Sequence, residues 1–258
     1  MDILCSKADG ILSIEFNRPE RKNAITSAMY QAMADALRDA EQDAAVRAIL
    51  ITGKPEIFTA GNDLDDFLKT GGADTTAIGE RPVFDFMRQL SNVGKPVVVA
   101  VSGVAVGIGT TLLMHCDLVY AADNAKFSLP FVQLGLCPEF ASSLLLTQLA
   151  GYPRAAEKLM LGEAFSAQEA LAMGLVARVL PLAELLPFAR SQAAKLAALP
   201  AASVRATKRL MKHSRMPAIN AAMDQENRLF GAMLDAPEAK EAFTAFFEKR
   251  KPDFSRFA

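Results

Sequence analysis

The stretch from Lys95 to Glu139 constrains the chain more than any other: KPVVVAVSGVAVGIGTTLLMHCDLVYAADNAKFSLPFVQLGLCPE. Pro96 to Val101 is a continuous apolar run bounded by turn residues, the pattern of a strand covered on both faces. Glycines follow at 103, 107 and 109, then an apolar helical run, Thr110 to Cys116, and a second strand, Asp117 to Ala121. Where a strand hands over to a helix, the first helical N–H groups have no partner in the chain and attract negative charge. Gly107 and Gly109 stand at that handover, so one reading is a place for an anion. On spacing alone the commoner reading is a tight turn with close packing. The pattern is G-x-x-x-G-x-G, and no G-x-x-x-x-G-K-[ST] occurs, so a nucleotide-binding loop is not supported.

Pro96 to Met114 is nearly long enough to cross a bilayer, but Ser102, Thr110, Thr111 and the glycines favour a buried strand–turn–helix. The start, MDILCSKADG, has no signal-peptide pattern. Cys5, Cys116 and Cys137 have neither disulfide nor zinc-site spacing, so a reducing, cytoplasmic compartment is expected. The terminal Arg256-Phe257-Ala258 is not the usual peroxisomal tripeptide. A net charge of −1 gives no pull toward nucleic acid or an anionic membrane. With 258 residues, 51% of them hydrophobic, the chain suits one large domain or a domain with an appendage.

Ile3 to Lys7 and Ile11 to Phe16 flank Asp9-Gly10, a hairpin signal. Thr26 or Ser27 caps a helix to about Ala44, and Arg47 to Thr52 is a buried strand. Ala60-Gly61-Asn62 is a sharp turn, with a short helix from Asp63. Residues 70–79 read as mobile, and Glu80 to Val93 as helix. Helices then cover Ala141 to Ala150 and Tyr152 to Leu161. Ser166 to Glu169 is a capping box, and Gly174 stops its helix. Leu175 to Leu180 is a strand. The pattern is an α/β core over residues 1–195 and an all-helical region over 196–258.

Two glycine turns share one design: each puts a backbone N–H at a helix start, near Gly61-Asn62 and near Gly107-Ile108. Two converging N–H donors form an oxyanion hole. Glu139, read alone, is a carboxylate at a helix start. Asp63, Asp65 and Asp66 also read as helix-start residues, so no metal site is expected. His115 reads as a core histidine. Arg205, Lys208, Arg209 and Lys212 read as a solvated helix face.

In order and spacing, NRPERKNAIT, FTAGNDL, KPVVVAVSGVAVGIG, CDLVYAADNAKFSLPFVQLGL, FSAQEALAMGLVARV and FFEKRKPDF resemble the enoyl-CoA hydratase/isomerase (crotonase) superfamily along essentially the whole chain. The resemblance implies a spiral of ββα units with a C-terminal helical region that oligomerises. It implies an acyl-CoA substrate, no cofactor beyond the substrate's own CoA, and a homotrimer or dimer of trimers. It puts the oxyanion hole at the Asn62 and Ile108 N–H groups. The substrate-binding residues it implies are Ala60, Gly61, Asn62, Asp63, Leu64, Gly107 and Ile108, with Arg21 and Lys22 beside CoA.

Hydratases of the superfamily use two glutamates, which fall here on Thr111 and Phe131. Glu139, eight residues after Phe131, matches the single glutamate of the Δ3,Δ2-enoyl-CoA isomerases. The expected activity is therefore the shift of a 3-enoyl-CoA double bond to 2-trans-enoyl-CoA, as in fatty-acid β-oxidation. An atypical hydratase or another acyl-CoA reaction is the second reading, and a non-catalytic binding protein on the same fold the third. Phe140 stands where that subgroup has glycine, so the ring is expected to narrow the acyl pocket or to re-aim the carboxylate.

Overall fold

β1 (Ile3–Ala8) and β2 (Ile11–Phe16) pair antiparallel across Asp9-Gly10. Both turn residues have positive φ, 51° and 77°, the conformation that selects Asp-Gly for two-residue hairpins. This computed structural model describes residues 1–66 and 81–257. Thr26 caps α1 (Ser27–Gln42), its hydroxyl accepting the Met29 N–H. The core continues through β3 (Ala48–Thr52), β4 (Ile57–Thr59), α2 (Pro82–Asn92), β5 (Val97–Val101), β6 (Val104–Val106) and α3 (Ile108–Thr111). β7 (Leu118–Ala122), β8 (Lys126–Ser128), α4 (Ser142–Ala150), α5 (Tyr152–Ala156), β9 (Phe165–Ser166), α6 (Ala167–Ala172) and β10 (Arg178–Leu180) follow. The chain ends in helices: α7 (Leu182–Ala198), α8 (Ala201–His213), α9 (Met216–Leu234) and α10 (Pro237–Phe247).

Two sheets result. The larger has the order β1-β2-β3-β5-β7-β10 and is parallel beyond the first hairpin. The smaller has the order β4-β6-β8-β9, with only β8 and β9 antiparallel. Successive units put one strand in each sheet: β3 then β4, β5 then β6, β7 then β8. This is the wound ββα arrangement that the resemblance implied.

Every residue of β3 and β5 is buried because helices cover both faces. Alternation sorts their side chains. Ile49, Ile51, Val97, Val99 and Val101 join the main core with Met29, Met33 and Phe86. Leu50, Val98 and Ala100 face Leu185, Ala189 and Ala193 of α7.

Some expected elements are shorter than read. Thr110–Cys116 divides into the end of α3 and a 3-10 segment, Leu112–His115. The Leu175–Leu180 strand narrows to β10, and the helix after Tyr152 finishes in a π-helical stretch, Glu157–Leu161. Residues 64–66 are helical as expected, but the segment read as mobile lies outside the described residues. Among the described residues no helix is long and apolar enough to cross a membrane.

Candidate active site

The two glycine turns interlock. Thr59 of β4 pairs with Ala105 of β6, and Asn62 and Ile108 each lie three residues beyond that pair. Gly61 has φ of 87°, and a Cβ on it would lie 2.7 Å from the Val106 carbonyl oxygen. A Cβ on Gly109 would lie 2.5 Å from Thr59 Cγ2. Glycine fits both turns because the Val106 backbone presses on Gly61 and the buried Thr59 side chain presses on Gly109.

Among the described residues neither candidate N–H donor has an acceptor. Asn62 forms a parallel bridge with Ile25, in which Ile25 N–H donates to the Gly61 carbonyl and Asp63 N–H to the Ile25 carbonyl. In such a bridge the N–H of the central residue points the other way. Ile108 opens α3, so its N–H has no acceptor within the helix. Neither N–H donates to any described residue. The Asn62 side chain is occupied elsewhere: its Oδ1 accepts the Tyr30 hydroxyl.

These turns open onto a cavity of about 1120 Å³. Its wall contains all of Arg21, Lys22, Ala60, Gly61, Asn62, Asp63, Leu64, Gly107 and Ile108. The rest of the lining is largely apolar, with Phe131, Leu134, Leu136, Phe243, Phe246, Phe247 and Phe254, and it also carries Gln133, Arg250 and Lys251. The acidic residues of the first turn have structural partners. Asp63 pairs with Arg18 at 2.7 Å and caps Asp66 N–H, and Asp65 pairs with Arg21 at 3.1 Å. Asp66 accepts the Ser27 N–H and hydroxyl. A second cavity of about 310 Å³ shares Asn62 and Phe230 with the first and includes Tyr30, Val83 and Phe84.

Glu139 lines neither of these cavities. It is buried, 5% exposed, and accepts one hydrogen bond, from Thr111 Oγ1 at 3.3 Å. Thr111 lies three residues after Ile108, so one short helix carries both the free N–H and the carboxylate's hydroxyl donor. Leu136, three residues before Glu139, is in the cavity wall. Burial pushes the Glu139 carboxyl up to about 8, the nearby charge of Glu226 adds to this, and the Thr111 hydroxyl works against it.

The expectation that the Phe140 ring narrows the acyl pocket is corrected. It lines neither cavity but stacks on His115 in the core, with ring centroids 3.8 Å apart. His115 Nε2–H donates to the Phe140 carbonyl at 2.8 Å, and burial lowers the imidazole pKa to about 3, so the ring is neutral. Phe140 and Ala141 both have positive φ, 58° and 55°. That conformation turns the Phe140 side chain away from the cavity.

The basic helix face is corrected too. Lys208 is buried and bonds Asp117 at 2.6 Å and the Lys95 carbonyl at 2.7 Å. Lys212 donates to the His115 carbonyl at 2.9 Å, and Arg205 pairs with Glu41. Lys208 and Lys212 thus tie α8 to the core, while Arg205 and Arg209 are exposed as expected. Two site neighbours escaped the sequence reading. Tyr30 looks like any aromatic on the buried face of α1. Glu226 looks like any exposed helical glutamate, yet it is buried against residues 141–143.

A family model described as enoyl-CoA hydratase/isomerase matches residues 6–256. A 2,3-dehydroadipyl-CoA hydratase from Escherichia coli (strain K12) is 32% identical, with 98% of each chain covered. An enoyl-CoA delta isomerase 2 from Rattus norvegicus is 36% identical over 97% of this chain and 64% of that protein. A solved enoyl-CoA hydratase/isomerase structure from Pseudoalteromonas atlantica T6c superposes with a TM-score of 0.92 at 40% identity, covering 99% of this chain and 100% of the other. With two wound sheets and interlocked glycine turns already in view, these likenesses establish that the chain belongs to the enoyl-CoA hydratase/isomerase (crotonase) superfamily of enzymes.

Proposed function

We propose that the protein is a Δ3,Δ2-enoyl-CoA isomerase with Glu139 as its only acid–base group. The observation that carries this reading is a buried carboxylate, Glu139, bonded by the Thr111 hydroxyl one helical turn from the Ile108 N–H. Threonine and an apolar wall residue, Phe131, occupy the two positions where the resemblance implies hydratase glutamates. The wider relationships leave room for both chemistries, since the rat relative is named an isomerase and the bacterial one a hydratase.

A 3-enoyl thioester has acidic protons at C2, between the carbonyl and the alkene. Ionised Glu139 takes one of them, and the electron pair spreads into a dienolate. Its oxygen sits between the Asn62 and Ile108 N–H groups, each worth roughly 3 to 4 kcal/mol by analogy with measured oxyanion donors. The carboxylic acid then returns the proton to C4, and the double bond becomes C2–C3. Atoms balance with no water and no redox step. The raised pKa makes Glu139 a stronger base than a solvated carboxylate. Acyl carbons must pass the Leu136–Ile108 wall to meet it.

The test is turnover of 3-enoyl-CoA and 2-enoyl-CoA, side by side, by wild type and Glu139→Gln. Isomerisation lost in the variant, with little hydration of the 2-enoyl form, is the expected result. Efficient hydration that survives Glu139→Gln sinks the assignment in favour of a hydratase with another acid–base group.

Exposed Tyr152, Met160, Leu161, Phe246 and Phe247 support a homotrimer or dimer of trimers, with residues 196–258 helping to form it. Sedimentation equilibrium should give a trimer or hexamer mass; a monomer at micromolar concentration refutes it. The free thiols Cys5, Cys116 and Cys137 support a cytoplasmic setting.

A further inference from the structure

The residues after Glu139 form a strained turn. Phe140 and Ala141 are consecutive non-glycine residues in the left-handed region. Such residues persist only where their surroundings over-determine them. Two groups from distant parts of the chain do this. From one side His115 stacks on Phe140 and holds its carbonyl. From the other, Glu226 of α9 accepts the Ala141 N–H, the Ser143 N–H at 3.0 Å and the Ser143 hydroxyl. Glu226 is buried, 6% exposed, and covers the first turn of α4, where no side chain of the turn itself serves as a cap.

We propose that Glu226 is a positioning residue for Glu139: α9 reaches back to hold the turn that aims the base, and does so with a fixed negative charge. The inference rests on the isomerase reading for its kinetic part only. Burial raises the Glu226 carboxyl pKa, while the three donors converging on it act the other way and favour its ionised form. That charge stands near Glu139 and disfavours a second one there. The other groups facing Glu139 are the Tyr30 phenol from α1, the Thr111 hydroxyl from α3 and the Cys137 thiol of its own loop. Tyr30 and Cys137 have their own pKa values raised by burial, so both stay neutral near pH 7. Buried His115 is also neutral. Among the described groups Glu226 is therefore the charged neighbour of the base.

The experiment combines two readouts on wild type, Glu226→Gln and Glu226→Ala. The first is a carbon-13 NMR titration of glutamate-labelled protein, with Glu139→Gln identifying the Glu139 carboxyl signal. The second is the pH dependence of kcat and KM for a 3-enoyl-CoA. Glu226→Gln keeps the size and one acceptor but loses the charge. Its Glu139 midpoint should fall by about one pH unit, as expected on removing a nearby like charge. Its kcat should drop about tenfold, with KM changed less than about twofold, because the turn and not the CoA contacts is affected. Glu226→Ala should lose more activity, and if it does not fold, Glu226→Gln carries the test. An unmoved Glu139 midpoint in folded Glu226→Gln overturns the inference, whatever kcat does. The titration needs no substrate. A wild type without isomerase turnover would therefore sink the functional reading alone, and the midpoint would still decide the role of Glu226.

Discussion

Glu139 and Glu226 are buried alike, at 5% and 6% exposure, but their surroundings differ. Glu226 accepts two backbone N–H groups and a hydroxyl, whereas Glu139 accepts one hydroxyl at 3.3 Å. Burial by itself raises a carboxyl pKa, and the donors decide how far. A fully bonded carboxylate is a structural anion. A barely bonded one retains unused lone pairs and a pKa pushed to about 8, which suits a proton carrier. Burial alone does not distinguish the two glutamates; the count of donors does.

The largest effect that would break this contrast is on turnover. Glu139→Gln should reduce 3-enoyl-CoA isomerisation roughly a thousandfold, the range for losing a general acid–base. Glu226→Gln should cost far less. Equal losses, measured in one spectrophotometric assay, would mean that the two roles are not distinct.

Stability should separate them in the opposite direction. Glu226→Ala strands two N–H groups and a hydroxyl and should cost about 3 kcal/mol in urea melts at pH 7. Glu139→Gln should not destabilise the protein there. A Glu226→Ala variant as stable as wild type would remove the structural half of the contrast.

The pH dependence of stability comes next in size. Native Glu139 holds its proton up to about 8, while the unfolded residue releases it near 4.5. Between those values the folded state binds more protons, so stability falls as pH rises and the loss is complete above the folded pKa. Glu139→Gln should lack this loss. Its Tm should exceed that of wild type by about 10 °C at pH 8 and match it near pH 4.5. A constant Tm difference across that range contradicts a raised Glu139 pKa.

The smallest effect concerns the one donor. Thr111→Val removes it and should move the acidic limb of kcat/KM, expected near pH 8 in wild type, upward by about half a unit. A downward shift would mean that Thr111 accepts from a protonated Glu139 in the free enzyme.

Much of the fold was legible where local pattern and burial agree. Asp9-Gly10 encodes its hairpin through positive φ, Thr26 and Ser166 cap their helices, and Gly174 stops one, all through contacts a few residues apart. The small sheet was less legible. β4, β6 and β8 have three residues each, too few to show a period. Lys208 and Lys212 of α8 misled because helical spacing reveals a face but not what covers it. Phe140 misled because its backbone sign, and hence its side-chain direction, is set by the turn around it.

The sequence by itself determined which chemistry the site can hold: two glycine turns, one glutamate at 139, and threonine and phenylalanine at 111 and 131. Side-chain identity is a local fact, and chemistry follows from it. Only the tertiary structure decided that the turns meet and that Glu139 becomes basic. The meeting depends on Thr59 pairing with Ala105, and the basicity on burial and on a carboxylate brought in from α9. Sheet register and the field inside a core are sums over residues far apart in the chain, so no local pattern contains them.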